Sequence, residues 1–254
     1  MKASSILASM LAAMTMTLAV TAGAQTTVRV GGTPTSAPFT YLDIKTNQID
    51  GLMVDIAKGV AQKAGLQLQF EPMAFSALIS SLTTNRIDLI SAGMFITDVR
   101  KQVVDFSQPV FSFGEGLIAS KKDNTAYTGF ADMTGKRIGV AIGTATVELV
   151  NKANEQYKFA EVKLYDSATE LIADLNNGRI DLVTLDLPIS VQAEKSGNYP
   201  NIKVVRTYKP AKVGDVGLAT RKGDTALLNK VNAAITQMKA DGSLDAILKK
   251  WGII

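Results

Sequence analysis

The sequence contains no cysteine and no histidine. Without cysteine no disulfide can form, so the fold must be stabilised by hydrophobic cores. The two absences also remove the commonest ligands of zinc and the commonest general base of enzymes. They argue against a zinc enzyme and against a hydrolase with a histidine-containing triad, while carboxylate chemistry stays open. We therefore expect no metal site and no cofactor.

A strong charge of one sign is also missing. The chain has 27 Lys and Arg residues and 23 Asp and Glu residues, a net charge of +4. This balance is too mild to indicate a nucleic-acid partner or an anionic membrane surface. After the first 24 residues, no apolar run approaches the roughly 20 residues that span a bilayer. We expect the mature chain to be soluble.

The first 24 residues have the pattern of a secretory leader. Lys2 precedes a nearly continuous apolar stretch from Ile6 to Val20, and the small residues Ala22-Gly23-Ala24 follow. This order is typical of a signal peptide that is cleaved after Ala24. A membrane anchor is the alternative, but the apolar stretch is shorter than the roughly 20 residues required. Because the chain has no cysteine, a lipid anchor at the cleavage site is not expected.

Strand and helix patterns alternate along the rest of the chain. Residues 27–31 alternate between apolar and polar, as in a half-buried strand. After Gly51, apolar residues follow helical spacing from Met53 to Ala64, and Gly65 is expected to cap that helix. The tail from Asp224 to Trp251 is also predicted to be helical. The pattern indicates an α/β protein.

Two stretches of the chain resemble each other, residues 78–90 and residues 171–183. Each predicts a short amphipathic helix, a polar turn and a buried strand, and the second helix opens with a capping box from Ser167 to Glu170. The repetition predicts two similar α/β lobes with mainly parallel sheets, although this common unit could also recur by chance. Ligands of such sheets bind at the carboxyl ends of the strands.

A set of short motifs occurs in an order that is typical of one family. The most specific motif is RIDLISAGMFITDVRK at residues 86–101, and the others are Ala37-Pro38-Phe39, residues 51–56, residues 75–79, residues 105–109, residues 135–140, Gly143-Thr144 and Lys250-Trp251. Over its whole mature length the chain resembles the periplasmic solute-binding proteins of the polar amino-acid ABC uptake family, the family 3 extracellular binding proteins.

This resemblance implies a two-lobed fold of the type II periplasmic-binding-protein class. Each lobe would be a mainly parallel sheet flanked by helices, and two hinge crossings would join the lobes. Residues 1–24 would be the signal peptide, residues 25–117 with residues 215–254 would form lobe one, and residues 118–214 would form lobe two. The resemblance also implies that the exported protein resides in the periplasm.

Two charged residues are candidates for holding the two charges of an amino acid. Arg100 has a planar guanidinium that can bind both oxygens of a carboxylate. Asp186 follows a buried strand and is the candidate acceptor for the ammonium. By themselves they would be a surface arginine and a turn aspartate before Pro188, and the resemblance favours the ligand roles. The internal repeat aligns Asp186 with Gly93, so both are expected at equivalent strand ends that face each other across the cleft.

Further candidates come from the resemblance and from the position of one turn in the chain. Phe75 resembles the aromatic residue that flanks the ligand side chain. Thr144 and Ala145 lie in a turn between a strand and a helix, where free backbone N–H groups can hold an anion. Thr146 is either a compensating hydroxyl or an ordinary helix cap.

The chain departs from the family pattern at four positions near the expected ligand. Phe95 stands where Thr or Ser is usual, Ala145 replaces a second hydroxyl residue, and Ser36 replaces an aromatic residue. Thr33 stands where members that bind basic amino acids carry an acid, which argues against lysine or arginine as the ligand. The extra ring of Phe95 suggests a smaller or less polar pocket, or a ligand other than a standard amino acid.

The resemblance favours a monomeric binding protein that delivers a small zwitterionic ligand to the membrane permease of an ABC importer. The main alternative is an enzyme on the same scaffold, because the family also resembles the cyclohexadienyl dehydratases, which act on prephenate or arogenate. Such an enzyme needs a general acid in the cleft, and Glu115, Glu148 and Glu170 are the candidates. A detached sensor domain is the third interpretation.

Overall fold

The computed structural model describes residues 27–254, so the expected signal peptide and its cleavage site lie outside the described residues. The strands are β1 (Thr27–Gly32), β2 (Thr35–Ser36), β3 (Thr40–Asp43), β4 (Gln48–Asp50), β5 (Gln67–Pro72), β6 (Leu89–Ile90), β7 (Val104–Phe106), β8 (Phe111–Ser120), β9 (Arg137–Ala141), β10 (Glu161–Tyr165), β11 (Leu182–Asp186), β12 (Ile202–Val204), β13 (Val213–Val216) and β14 (Ala219–Arg221). The helices are α1 (Leu52–Ala64), α2 (Leu78–Thr83), α3 (Asp98–Lys101), α4 (Thr146–Tyr157), α5 (Ala168–Asn176), α6 (Leu187–Ser196), α7 (Thr225–Ala240) and α8 (Ser243–Lys250). Within residues 27–254, no helix combines the length and apolar character needed to cross a membrane.

Two separate sheets divide the chain into two lobes. The sheet of lobe one has the strand order β5-β1-β6-β14-β7, and the sheet of lobe two has the order β10-β9-β11-β8-β12. In the sheet of lobe one, four strands run in one direction and β14 runs in the other. The sheet of lobe two has β13 as a sixth strand, paired with β8, and here five strands run in one direction and β8 runs in the other. The predicted class, a two-lobed α/β fold with mainly parallel sheets, is confirmed.

The internal repeat has a structural counterpart in the two lobes. Helix α2 leads to β6 beside β1, and helix α5 leads to β11 beside β9. The aspartate before each strand binds the arginine of the neighbouring strand: Arg29 donates from its backbone N, Nε and Nη2 to Asp88. Arg137 makes the same three bonds to Asp181. The similarity between residues 78–90 and 171–183 therefore reflects a repeated structural unit.

The lobe-one member of this pair binds a second arginine. Arg221 on β14 donates from Nη1 to Asp88 Oδ1 at 3.0 Å. Asp88 thus links β1 to β14 on the opposite side of β6. The bonds from Arg29 lower the pKa of Asp88 to about 2, although burial opposes the shift. Because the folded-state pKa is depressed, this stabilisation is present above the normal aspartate pKa and is lost as the pH falls towards 2.

We expect Asp88→Ala to lower the free energy of unfolding by about 1.5–3 kcal/mol, because two arginines lose a charged acceptor. Asp181→Ala is the matched control: within the described part of the chain, Asp181 forms an ion pair with Arg137 alone, so its loss should cost less. Urea denaturation at pH 7 measures both variants. A larger loss for Asp181→Ala than for Asp88→Ala would contradict the linking role of Asp88.

The two lobes are packed against each other. One cluster of buried apolar residues runs from Val28 in lobe one to Leu185 in lobe two. A hydrogen bond also joins the two lobes, because Arg100 of lobe one donates from Nη2 to the carbonyl of Gly143 in lobe two at 2.9 Å. The structure is therefore a closed arrangement of the lobes.

Strand β8 forms one of the crossings between the lobes. Its first part, residues 111–114, pairs with β13, and its second part pairs with β11 and β12. The second part begins at Glu115, which is 1% exposed and accepts bonds from the Tyr208 hydroxyl and from the backbone N–H groups of Ala211 and Lys212. The lobe boundaries at residues 117 and 215 stay predictions.

Candidate ligand-binding site

A cavity of about 20 Å³ lies between the lobes, at the carboxyl ends of strands from both sheets. Its lining residues come from both lobes: Thr33, Thr35, Ser36, Phe39, Phe75, Ala92, Ala141, Ile142, Thr144, Asp166, Ala168, Leu185, Asp186 and Ile189. Such a volume holds about one water molecule. An amino acid is larger than this cavity and can enter only if the lobes move apart. Ligand binding therefore requires motion at the crossings.

Arg100 lies beside this cavity and contacts both lobes. Helix α3 places it, because the Thr97 side chain caps the helix by accepting a bond from the Arg100 backbone N–H at 3.3 Å. The guanidinium donates from Nη1 to the Phe95 carbonyl at 2.8 Å and from Nη2 to the Gly143 carbonyl of lobe two at 2.9 Å. It also lies 5.7 Å from the ring centroid of Phe75, which lines the cavity.

The environment of Arg100 suits the binding of an anion. The residue is 8% exposed, and burial lowers its pKa while the charge of Asp186 opposes that shift. Among residues 27–254, the guanidinium donates to carbonyl oxygens, and no carboxylate is in direct contact to neutralise it. A ligand carboxylate would supply the missing charge.

Asp186 is the last residue of β11 and lines the cavity. It precedes α6 without capping that helix through its side chain. Burial raises the pKa of Asp186 to about 7; Arg100 opposes this shift, and Glu115 adds to it. Glu115 is the residue opposite Asp186 in the β8–β11 pairing. The carboxylate therefore favours a positively charged partner in the cleft.

Other expected site residues are divided between the cavity and its surroundings. Phe75, Ser36 and Thr144 line the cavity. The hydroxyl of Thr144 is already used within its own turn, where it donates to the Ala141 carbonyl at 2.7 Å. Ala145 precedes α4 as its N-cap residue and makes no side-chain capping bond.

Gly93 and Phe95 are not among the residues that line the cavity. Gly93 has φ +72°, and a Cβ there would lie 2.6 Å from the ring of Phe39, so Phe39 occupies the space beside it. The Phe95 ring is directed towards the crossings: it packs on Phe113 of β8, and a Cβ at Gly214 of β13 would lie 2.9 Å from it. The phenylalanines that line the cavity are Phe39 and Phe75.

The cavity also contains residues that the sequence patterns did not single out. Phe39 belongs to a family motif, but the motif assigns it no role. Asp166 follows β10 directly, as Asp186 ends β11, so the rule that ligands bind at strand ends could have found it. Ile189 on α6 completes the apolar part of the wall.

At Gly143, lobe two contacts lobe one closely. Its carbonyl accepts the bond from Arg100, and a Cβ on Gly143 would lie 2.9 Å from the Cα of Ser76. Its φ of +78° is also a conformation that favours glycine. Both features indicate that closure requires glycine at this position.

We expect Gly143→Ala to weaken ligand binding by about tenfold or more, because the added methyl keeps the lobes from closing fully. Gly178→Ala is the matched control: Gly178 also lies in lobe two with φ +72°, but a Cβ there meets nothing within 4 Å. Both variants should lose about 1–2 kcal/mol of folding stability from backbone strain. Calorimetry and urea denaturation separate the two effects, and equal affinities of the variants would contradict the closure contact.

The three glutamates considered as general acids lie outside the cavity lining. Glu115 is buried and its carboxylate accepts three bonds at the crossing. Glu148 is exposed on α4, and Glu170 is exposed in the first turn of α5. None of the three is placed to protonate a molecule in the cavity.

Comparison with known proteins decides the family. The family model of the bacterial extracellular solute-binding proteins, family 3, matches residues 28–253. The chain belongs to this family. This solute-binding protein is 32% identical over 242 residues to the ABC transporter arginine-binding protein 1 of Escherichia coli (strain K12). The aligned region covers 95% of this chain and 97% of the relative.

Solved structures agree with the family assignment. An ancestral arginine-binding protein bound to arginine matches with a TM-score of 0.83 and 34% identity, covering 89% of this chain and 98% of the other. An ancestral amino-acid-binding protein, described as a precursor of cyclohexadienyl dehydratase, matches with a TM-score of 0.80 and 30% identity, covering 89% and 95%. The resemblance noted in the sequence is confirmed, and so is the two-lobed fold of this solute-binding protein.

Proposed function

We propose that this protein is the extracytoplasmic substrate-binding component of an amino-acid ABC importer. The observation that carries the proposal is the placement of Arg100 and Asp186 around one closed cleft, with Arg100 bonded across it to lobe two. The arginine-binding relative, named as part of an ABC transporter, supports the same class. The protein acts as a periplasmic monomer, passes its ligand to a membrane permease and catalyses no reaction.

The proposed binding mode uses both charges of a zwitterion. The ligand carboxylate binds the guanidinium of Arg100, and the ligand ammonium binds the carboxylate of Asp186. Phe75 packs against the ligand side chain, and Ser36 and Thr144 border it. Burying either ligand charge without its partner would cost several kcal/mol, so both contacts are required for tight binding.

A thermal-shift screen of amino acids, opines and small carboxylates tests this function. A ligand at 100 times its dissociation constant stabilises the folded protein by about 2.7 kcal/mol, which is a clear rise in Tm. We expect at least one amino acid to give this rise. Incubation with prephenate, followed by ultraviolet detection of phenylpyruvate, tests the dehydratase alternative, and formation of that product together with an absence of amino-acid binding would contradict the proposal.

The proposed location rests on the leader pattern that ends at Ala24. We expect mass spectrometry of the exported protein to find an N-terminus at or near Gln25. Accumulation of the mature-length protein in the cytoplasm alone would contradict periplasmic function.

A further inference from the structure

A second cavity at the junction of the lobes is much larger than the cavity in the cleft. Its volume is about 290 Å³, whereas the cavity beside Arg100 has about 20 Å³. Its lining comes from α6 of lobe two, from Trp251–Ile253 after α8, from residues 112–114 of β8 and from Pro38. No described residue lines both cavities, so the two are separate sites.

The C-terminal part of this lining is fixed on lobe one. The indole Nε1 of Trp251 donates to Asp55 of α1 at 2.8 Å, and Lys250 Nζ donates to the same carboxylate oxygen at 2.7 Å. The backbone N–H of Ile253 donates to the Leu248 carbonyl at 2.9 Å. These residues are held in place before any molecule enters the cavity, which lowers the entropy cost of binding there.

The lining is mostly apolar and contains one charged residue among those described. Its apolar members include Pro38, Phe113, Leu187, Val191, Trp251 and Ile253. Lys195, in the last turn of α6, is the charged member. It is exposed, and within residues 27–254 its ammonium has no hydrogen-bond or ion-pair partner. Sites for small molecules typically combine apolar walls with a few polar groups that orient the ligand.

We propose that this cavity is a second ligand site, which binds a small apolar carboxylic acid and stabilises the closed arrangement of the lobes. The carboxylate pairs with Lys195, and the apolar body packs between α6 and the indole of Trp251. The two sides belong to different lobes, because α6 packs on β8, β11 and β12, whereas α8 packs on α1. The ligand therefore contacts both sides only when the lobes are together.

Stabilisation of the closed state follows from this difference in contacts. A ligand that binds one conformation better than another shifts the equilibrium towards the conformation that it prefers. Binding at the second site does not depend on the proposed amino-acid function. Its effect on amino-acid binding does rest on that function: because both ligands favour closed lobes, each should tighten the binding of the other.

Phenylacetate is the probe for this site, and phenylacetamide is its uncharged analogue of nearly the same shape. Trp251 is the sole tryptophan of the chain and lines the cavity, so its fluorescence reports occupancy. We expect phenylacetate to change this fluorescence saturably, with a dissociation constant of about 1 mM or below. Phenylacetamide should bind about threefold more weakly, because water screens an exposed ion pair. Small-angle scattering should show a smaller radius of gyration with phenylacetate alone.

Four variants locate the bound probe. Lys195→Gln should weaken phenylacetate binding about threefold and leave phenylacetamide unchanged. Lys152→Gln is the matched control, since Lys152 is an exposed lysine of lobe two that does not line this cavity. Val191→Phe fills part of the cavity and should weaken both probes by about tenfold or more. Arg100→Ala should leave phenylacetate binding unchanged, because Arg100 lies at the other cavity.

The outcomes separate this inference from the proposed function. Loss of phenylacetate binding in Arg100→Ala, or competition between phenylacetate and the amino acid, would overturn the inference, since the probe would then occupy the cleft. Equal affinities for phenylacetate and phenylacetamide, or an unchanged radius of gyration at saturating phenylacetate, would also overturn it. Failure of every amino acid to bind, while phenylacetate still closes the lobes, would contradict the proposed function and leave this inference standing.

Discussion

Arg100→Ala is expected to weaken binding of the amino-acid ligand by about 2–5 kcal/mol, a loss of at least about 30-fold. The parent guanidinium is already desolvated at 8% exposure and is held by the carbonyls of Phe95 and Gly143. Alanine would leave the ligand carboxylate buried without a charged partner, and it would remove the direct bond between the lobes. Calorimetry with the best ligand of the screen measures the loss.

Two further variants make this prediction specific. Lys101→Ala removes the next cation of α3, whose side chain is 54% exposed, and should leave the affinity unchanged. Arg100→Lys keeps the charge but lacks the planar fork that reaches two acceptors at once, so an intermediate affinity is expected. An affinity of Arg100→Ala within twofold of the parent would show that the carboxylate binds elsewhere.

Binding is expected to weaken about tenfold when the pH falls from 8 to 6, because the ligand ammonium requires the ionised form of Asp186. Its pKa of about 7 means that the carboxyl is mostly ionised at pH 8 and mostly protonated at pH 6. Arg100 and Glu115 are the charged groups that act on it, and Asp166 lines the same cavity. Calorimetry across this pH range measures the change.

The unliganded protein should respond to pH in the opposite direction. Because the folded-state pKa of Asp186 is raised above the normal aspartate value of 3.8, its contribution to stability is fully present below that value and is lost as the pH rises through about 7. Asp186→Asn has no titrating carboxyl, so it should reduce the dependence of both affinity and stability on pH. Parent affinity that stays constant between pH 6 and 8 would contradict the assigned role of Asp186.

Much of the fold could be predicted because it follows from repeated local patterns. The helix, turn and strand at residues 78–90 recur at residues 171–183, and the same pattern implies the same surroundings in the two lobes. The aspartates that bind Arg29 and Arg137 lie at equivalent positions of this repeat. Apolar periodicity also located α1 and the C-terminal helices, since burial of one helix face depends on sequence spacing.

The candidate site was less predictable, because residue type does not determine where a side chain points. Phe95 occupies a position next to the ligand in the motif, but its ring packs on Phe113 and Gly214 at the crossings. Asp166 lies in a short connection with no motif of its own, and only the strand order brings it to the cavity beside Asp186. Contacts between the lobes depend on three-dimensional closure, which no local pattern describes.

The contact between Gly143 and Ser76 illustrates the same limit. The turn chemistry of Gly143-Thr144 was evident from the sequence, but its partner lies in the other lobe. Positive φ alone explains a glycine at many turns, such as Gly178, where an added Cβ would meet nothing within 4 Å. Gly143 has a second reason to be glycine, because a Cβ there would lie 2.9 Å from the Cα of Ser76 in the other lobe. This contact exists only in the folded, closed protein.

The central claim is that both charges of one zwitterion are held between the closing lobes. A calorimetric titration of the parent protein with the best-binding amino acid, its deaminated analogue and its decarboxylated analogue tests this claim most directly. We expect each analogue to bind more weakly by at least about 2 kcal/mol, because Asp186 or Arg100 is then enclosed without its partner. If the deaminated analogue binds as tightly as the amino acid, Asp186 does not hold the ammonium and the account of the site is wrong.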